Sequence, residues 1–229
     1  VAALTRLGRM PVMYESIGAY GGDARIRQYK DARIDFHDKH DVPALEPGVI
    51  GRRFINVMQG LLRRIETEER AELEQVADWA AAAHAQGKRL IMYSMGHLFP
   101  DEIARTDIGS LFHSGVWNAG FRHHKVPDDT YQPGDVIVHI GYQHPPWRLL
   151  ERARPAGARV AYLSVRSHRD YIKDPGAIWL DSMWPWSDAV VDIKGYDIPI
   201  LPASGIVNGA VAWEIYRLAD ERIAEAARE

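Results

Sequence analysis

The sequence predicts an α/β protein in which a parallel sheet lies between helices, and three observations lead there. First, residues 133–164 read as one βαβ unit. Asp135–Ile140 is a short β-branched run without alternation, the pattern of a strand buried on both faces. A polar turn (Gly141, Tyr142, Gln143, His144), a Pro-Pro pair, a helical stretch Trp147–Arg154, a closing Gly157 and a second buried run, Arg159–Leu163, follow. A helical crossover of that kind joins parallel neighbours. Second, Leu90–Tyr93 is another buried run, and it opens into Ser94-Met95-Gly96-His97. Third, segments with helical period lie before and after these runs. Ligands of such sheets bind beyond the carboxyl ends of the strands. That address holds Ser94–His97, Gly141–His144 and Ser164–His168.

Taken in order, residues 1–48 are expected to form an irregular arm. Gly18, Gly21, Gly22, Pro43, Pro47 and Gly48 interrupt it, and its apolar residues keep no sustained period. Tyr14, Tyr20, Tyr29 and Phe36 suggest that it packs against a partner subunit or the site's rim. The α/β domain is expected over 49–229. Ile50, Phe54, Val57, Met58, Leu61, Leu62 and Ile65 recur at spacings of three and four, which predicts a helix to Glu66. Thr67 is a candidate cap for a second helix, with Leu73, Val76, Ala77, Ala80 and Ala81 on one side and Gly87 at its end, so the pair reads as a hairpin. Leu111-Phe112-His113 is a candidate short strand, Arg166–Trp186 reads as a polar, aromatic loop, and Ala189–Ile193 as a further strand of the sheet. An extended piece with Pro199 and Pro202 then leads to Ser204-Gly205 and a last helix, about 206–227.

Composition excludes several classes. The chain has 229 residues, enough for one substantial domain, with 46% hydrophobic and 26% charged residues. A net charge of -3 and the absence of a dense basic run argue against nucleic acid as a partner. No apolar run approaches the roughly 20 residues that span a bilayer, so no membrane association is expected. There are no cysteines, which removes disulfides, thiolate metal ligands and cysteine nucleophiles. No Walker loop, GxGxxG, GxSxG or HExxH pattern occurs. The expected location is the cytoplasm, although a removed export signal would leave no trace in these residues.

The residues that can carry chemistry sit near the predicted strand ends. The chain has ten histidines, six of them (97, 113, 123, 124, 139, 144) between residues 97 and 144. His97 and His144 lie in loops, where an imidazole of near-neutral pKa can transfer protons, and Glu102 is a candidate carboxylate base. Glu214 is a weaker candidate, since its place in a helix suits an ordinary solvated residue. His139 lies inside a strand and reads as a hydrogen-bonded core histidine. A metal centre would need three or four converging ligands, and no HxH or helical HxxxH enforces convergence; no cofactor is expected, with a metal on the histidine cluster as the minority alternative. Trp179, Trp184, Trp186 and Tyr171 could wall a sugar or simply pack a long loop.

The order of these pieces resembles the sugar isomerase (SIS) domain family. Leu90–His97 is similar to that family's first strand and its G-x-G-x-S loop, and Gly134–His144 to its second strand and phosphate loop. Gly157–Ser164 is similar to the third strand, and Pro202–Gly205 to the polar stretch before the C-terminal helix. The resemblance covers about residues 50–225 and implies a three-layer sandwich with a five-stranded parallel sheet. It also implies homodimers or homotetramers and a phosphosugar ligand handled by isomerases, related lyases, transferase domains or transcriptional sensors. Carried to this sequence, it marks Ser94, Gly96, Gly141, Tyr142, Gln143, Ser164, Arg166 and Ser204 as ligand-binding residues.

The departures fall in the phosphate loops. Where the family places serine and threonine hydroxyls, this chain has Tyr142, Gln143, His144, Pro145 and Pro146, and His97-Leu98 in the first loop. They imply a shifted ligand: an unphosphorylated or differently substituted sugar, or another anion. The expected function is an isomerase-like enzyme on a sugar or sugar derivative, with His97, His144 and Glu102 as its catalytic candidates. The alternatives are a sugar or sugar-phosphate binding protein without catalysis, or a metal-dependent enzyme.

Overall fold

The computed structural model describes residues 7–8, 42–94, 111–116, 130–165, 176–196 and 199–228. Most of the expected arm therefore lies outside the described residues. By packing, the described residues form two compact units: those up to Leu61 with Trp184–Ala203, and those of Leu62–Met183 with Ser204 onward.

The larger unit holds the parallel sheet. Four strands form its body: β1 (Leu90–Ser94), β3 (Val136–Ile140), β4 (Arg159–Ser164) and β5 (Ala177–Asp181). The four-residue β2 (His113–Val116) pairs with the other side of β1, so the order is β2-β1-β3-β4-β5, parallel throughout. β1 and β3 are buried at every residue, which is why their sequences show no alternation.

Helices cover both faces. Helix α3 (Trp147–Ala153) joins β3 to β4 and packs Leu149, Leu150 and Ala153 on Ile91, Tyr93, Ile137, Val160 and Tyr162. The other face takes α2 (Arg70–Ala85), which packs on β1, β3 and β5 and along α4 (Ser204–Ala226). Its buried residues, Leu73, Val76, Ala77, Ala80 and Ala83, are mostly small and allow close helix approach. At its end the Gly87 N–H donates to His84 O and the Lys88 N–H to Ala83 O. Gly87, at φ 63, takes the left-handed turn that these bonds require.

A buried latch sets the start of the sheet. Asp135, 1% exposed, accepts hydrogen bonds from the backbone N–H of Arg89 (3.2 Å) and of Gln132 (2.9 Å), and from Arg89 Nη2 (2.6 Å). It ties β1 to β3 at their amino ends, opposite the expected site.

Three expectations are corrected. Helix α1 (Val49–Glu68) buries Ile50, Met58, Leu61 and Ile65 as its period requires, but Thr67 closes it instead of capping α2. Its hydroxyl donates back to Arg63 O at 3.0 Å. The bonds Glu69 N–H to Ile65 O and Leu73 N–H to Glu69 O carry the helical ladder across the joint, so α1 and α2 run on as a bent helix and not as a hairpin. Second, the presumed loop Arg166–Trp186 contains β5, whose short apolar run was masked by polar and aromatic neighbours. Third, Ala189–Ile193 is not part of the parallel sheet. Its first residues form β6 (Ala189–Val191), antiparallel to β7 (Ile200–Pro202). That hairpin belongs to the smaller unit, whose core is Ile50, Val191, Ile193 and Ile200. Among the described residues no helix is long and apolar enough to cross a membrane.

Candidate functional site

The strand order locates a crevice. From β1 the chain passes to β2 on one side, and β3 then returns to β1's other side. The strand order therefore reverses between β1 and β3, and open α/β sheets bind ligands at the carboxyl end of such a switch point. Ser94, the last residue of β1, lies in register with Ile140, the last of β3.

Ser94 is 1% exposed, and its Oγ has no hydrogen-bond partner among the described residues. A buried hydroxyl without a partner costs about 1–3 kcal/mol, so its presence calls for an explanation. Beside it, Gly141 opens the next loop. Its N–H donates to Leu163 O at 3.2 Å, and its carbonyl accepts from Asn208 Nδ2 at 2.8 Å. A Cβ at this position would run into the Leu163 carbonyl and come within 3.0 Å of the His139 ring, so only glycine fits.

The rest of the loop is polar but poorly suited to a phosphate. Gln143 is buried, Tyr142 half-buried and His144 exposed. Desolvation holds the His144 pKa below the ordinary histidine value, so at neutral pH it is an uncharged donor and acceptor, not a cation for an anion. At the start of α3 the N–H groups of Trp147 and Leu149 already donate to Pro145 O and Pro146 O. The backbone cradle that a helix start usually offers an anion is largely occupied.

Further along the strand ends, Ser164 Oγ accepts from Trp179 Nε1 at 2.8 Å, which makes Ser164 a tie between β4 and β5. Asp181 lies in register with Ser164 and is 1% exposed; its Oδ1 accepts the Met183 N–H at 3.0 Å. Between Asp181 and Met183, Ser182 is fully buried, its N–H on Ser164 O and its Oγ without a hydrogen-bond partner among the described residues. Ser204 is buried at the first turn of α4.

Among the expected residues, Ser94, Gly141, Tyr142, Gln143, His144 and Ser164 thus lie at or beside the carboxyl ends of β1, β3 and β4, while Ser204 lies in the first turn of α4. His97, Gly96, Glu102 and Arg166 lie outside the described residues, as do His123, His124 and Tyr171. His139 is a buried row-mate of Tyr93 and Tyr162 on the α3 face, and Tyr131 Oη donates to Tyr93 Oη at 3.3 Å. Glu214 is no base for the site: it is bound by Arg217 (2.7 Å) and Arg70 (3.3 Å) on the outer side of α2 and α4. Of the four expected aromatics, Trp179 belongs to β5 and Trp184 and Trp186 to the smaller unit, while Tyr171 lies outside the described residues. Among the described residues no group of three or more histidines and carboxylates could hold a metal ion. Sequence reasoning missed Asn208, Asp181 and Ser182. Only Asn208 gave a signal, as a polar residue on the apolar face formed by Val207, Val211 and Ile215.

No family model matches the chain. No curated protein matches it either. Among solved structures, it is similar to the C-terminal domain of glucosamine-fructose-6-phosphate aminotransferase from Francisella tularensis, with 11% identity and a TM-score of 0.43. That match covers 76% of this chain, which spans 43% of the other.

Proposed function

We propose that the crevice between β1 and β3 binds an unphosphorylated sugar or sugar derivative and that the protein acts on it as an isomerase-like enzyme of the SIS kind. The observation that carries the reading is the buried Ser94 hydroxyl, without a hydrogen-bond partner among the described residues, at the switch point beside the glycine-opened loop. A ligand hydroxyl would complete it. The occupied N–H groups of Trp147 and Leu149 and the uncharged His144 favour a neutral ligand over a phosphate. The resemblance of the strand-loop patterns supplies the sugar.

In the reaction a base takes the proton from the carbon next to the carbonyl while an acid protonates the carbonyl oxygen; the enediol collapses as its other hydroxyl gives a proton back to the acid and the base delivers its proton to the former carbonyl carbon. His144, held neutral, is suited to accept that proton. His97 and Glu102 are the other candidates. A second reading, binding without turnover, is favoured by the nature of the buried side chains nearest the crevice. The side chains of Ser94, Gln143 and Asn208 are able to hydrogen-bond a ligand but do not titrate in the physiological range.

The test is a thermal-shift panel of free hexoses, amino sugars and hexose 6-phosphates, followed by proton NMR in D2O on every sugar that binds. Stabilisation by free sugars with deuterium entering next to the carbonyl supports the enzyme. Stabilisation without exchange supports the binding protein. A preference for the 6-phosphates, retained in Ser94→Ala, contradicts the site itself.

A further inference from the structure

Among its described residues the larger unit exposes two large apolar side chains, Trp147 (41%) and Ile206 (48%). Both stand by the same loop. Trp147 opens α3, directly after the Gly141–Pro146 loop that leaves the carboxyl end of β3. Ile206 lies in the first turn of α4, two residues before Asn208, which holds the carbonyl of Gly141 at the loop's start. The loop itself adds half-buried Tyr142 and exposed His144. Exposed apolar surface rimmed by polar groups marks places where something binds.

The helix aims the indole at that place. Leu150 follows Trp147 by three residues on the same side of α3, yet Leu150 is only 6% exposed. Helical side chains lean toward the first residue of their helix, so the Trp147 ring projects back over the loop and past the strand ends. There is room there. Next to Ile206, a Cβ added to Gly205 would meet nothing within 4 Å. The backbone N–H groups at the start of α3, already paired, play no part; the aromatic face does. Of the tryptophans expected to wall a sugar, Trp179 is instead committed to Ser164 within the sheet.

Resting on the sugar reading above, we infer that Trp147 is the stacking platform of the site. A pyranose ring lays its hydrogen-bearing face on the exposed indole and turns its edge hydroxyls toward Tyr142 and His144. The indole face is electron-rich and attracts the weakly positive C–H hydrogens of the ring. Trp147 is then a specificity-determining residue. It selects closed rings over acyclic polyols, which carry similar hydroxyls but no continuous C–H face.

Titration calorimetry on the full chain with glucose, galactose, N-acetylglucosamine and acyclic sorbitol tests this. At least one ring sugar is expected to bind, and sorbitol about tenfold or more weakly. Trp147→Ala should weaken that sugar about tenfold or more, and Trp147→Phe, which keeps an aromatic face, should lose less. The C–H protons of the sugar should move upfield in proton NMR on binding the wild type but not Trp147→Ala, a signature that a purely structural role would not produce. Because Trp147 is exposed, Trp147→Ala should melt near the wild-type temperature, which separates lost binding from lost fold. Affinity that survives Trp147→Ala within about twofold, or wild-type binding without the upfield shift, overturns the stacking and leaves the sugar reading standing. A wild-type dimer that Trp147→Ala converts to monomer, with sugar affinity unchanged, overturns it too and makes the rim a subunit contact. Failure of all three ring sugars to bind removes the sugar reading, and this inference with it.

Discussion

Asn208 Nδ2 donates to the carbonyl of Gly141 at 2.8 Å, and this single bond ties the second turn of α4 to the first residue of the loop after β3. Both groups are buried, so neither can turn to water instead. Asn208→Leu should cost about 1–3 kcal/mol, because it leaves the Gly141 carbonyl without a donor. Asn208→Asp should cost at least as much, since a carboxylate would face a carbonyl oxygen. Urea unfolding of the two variants measures this, and Asn208→Leu at wild-type stability would show that the bond holds nothing.

Gly141→Ala tests the neighbouring residue from the other direction. The added methyl meets the backbone carbonyl of Leu163, which cannot swing away as a side chain could, and also the His139 ring. The expected loss is about 1–3 kcal/mol from overpacking, with sugar binding weakened as the loop shifts. Gly205→Ala is the control, because a methyl there meets nothing within 4 Å.

Ser94→Ala should separate stability from function. The hydroxyl has no hydrogen-bond partner among the described residues, so its removal should leave the midpoint of unfolding unchanged or raise it. The ligand-induced rise in melting temperature should fall. A variant that is clearly destabilised without ligand would mean that the hydroxyl has a structural role.

The latch at the far end of the sheet governs acid stability. Burial pushes the Asp135 pKa up, but the Arg89 guanidinium and the backbone N–H groups of Gln132 and Arg89 outweigh it, and the net shift is downward. A carboxylate whose folded pKa lies below its unfolded value of about 3.9 contributes stability above that pH. The contribution is lost as pH falls toward the folded value. Asp135→Asn should therefore destabilise the protein at pH 7 by on the order of 1–3 kcal/mol. Below pH 4 the gap to wild type should narrow, while ligand affinity at neutral pH stays unchanged.

For His144 the sign is opposite in charge but alike in direction. Desolvation lowers its folded pKa, so the folded state binds a proton less readily than the unfolded chain. Its contribution to stability is complete above about pH 6.5 and declines as pH drops toward the folded value. An NMR titration of the His144 Cε1 proton should give a midpoint below 6.5, and a higher one would remove the argument that the loop meets its ligand uncharged.

Much of this was legible because burial writes itself into sequence. Leu90–Tyr93 and Val136–Ile140 are buried on both faces and so have no alternation to misread. The period of α1 survives because one stripe from Ile50 to Ile65 faces a core. β5 was missed because only Ala177–Leu180 is apolar, and partner strand β4, which makes it a strand, is remote in sequence from any local signal. The β6–β7 pairing was hidden for the same reason, since Ala189 meets Pro202 across a hairpin whose register no short pattern encodes. At the site, the loops could be placed from strand ends alone. What could not be read was which hydroxyls lack hydrogen-bond partners, because that depends on everything around Ser94 and Ser182.

The central claim is that the β1/β3 crevice is the binding site. A crystal structure of the protein with the tightest-binding free sugar tests it most directly. The expected result is a sugar hydroxyl within hydrogen-bond distance of Ser94 Oγ, with the Gly141–His144 loop against the ring. Sugar density away from the carboxyl ends of β1 and β3, with Ser94 Oγ untouched, would contradict it.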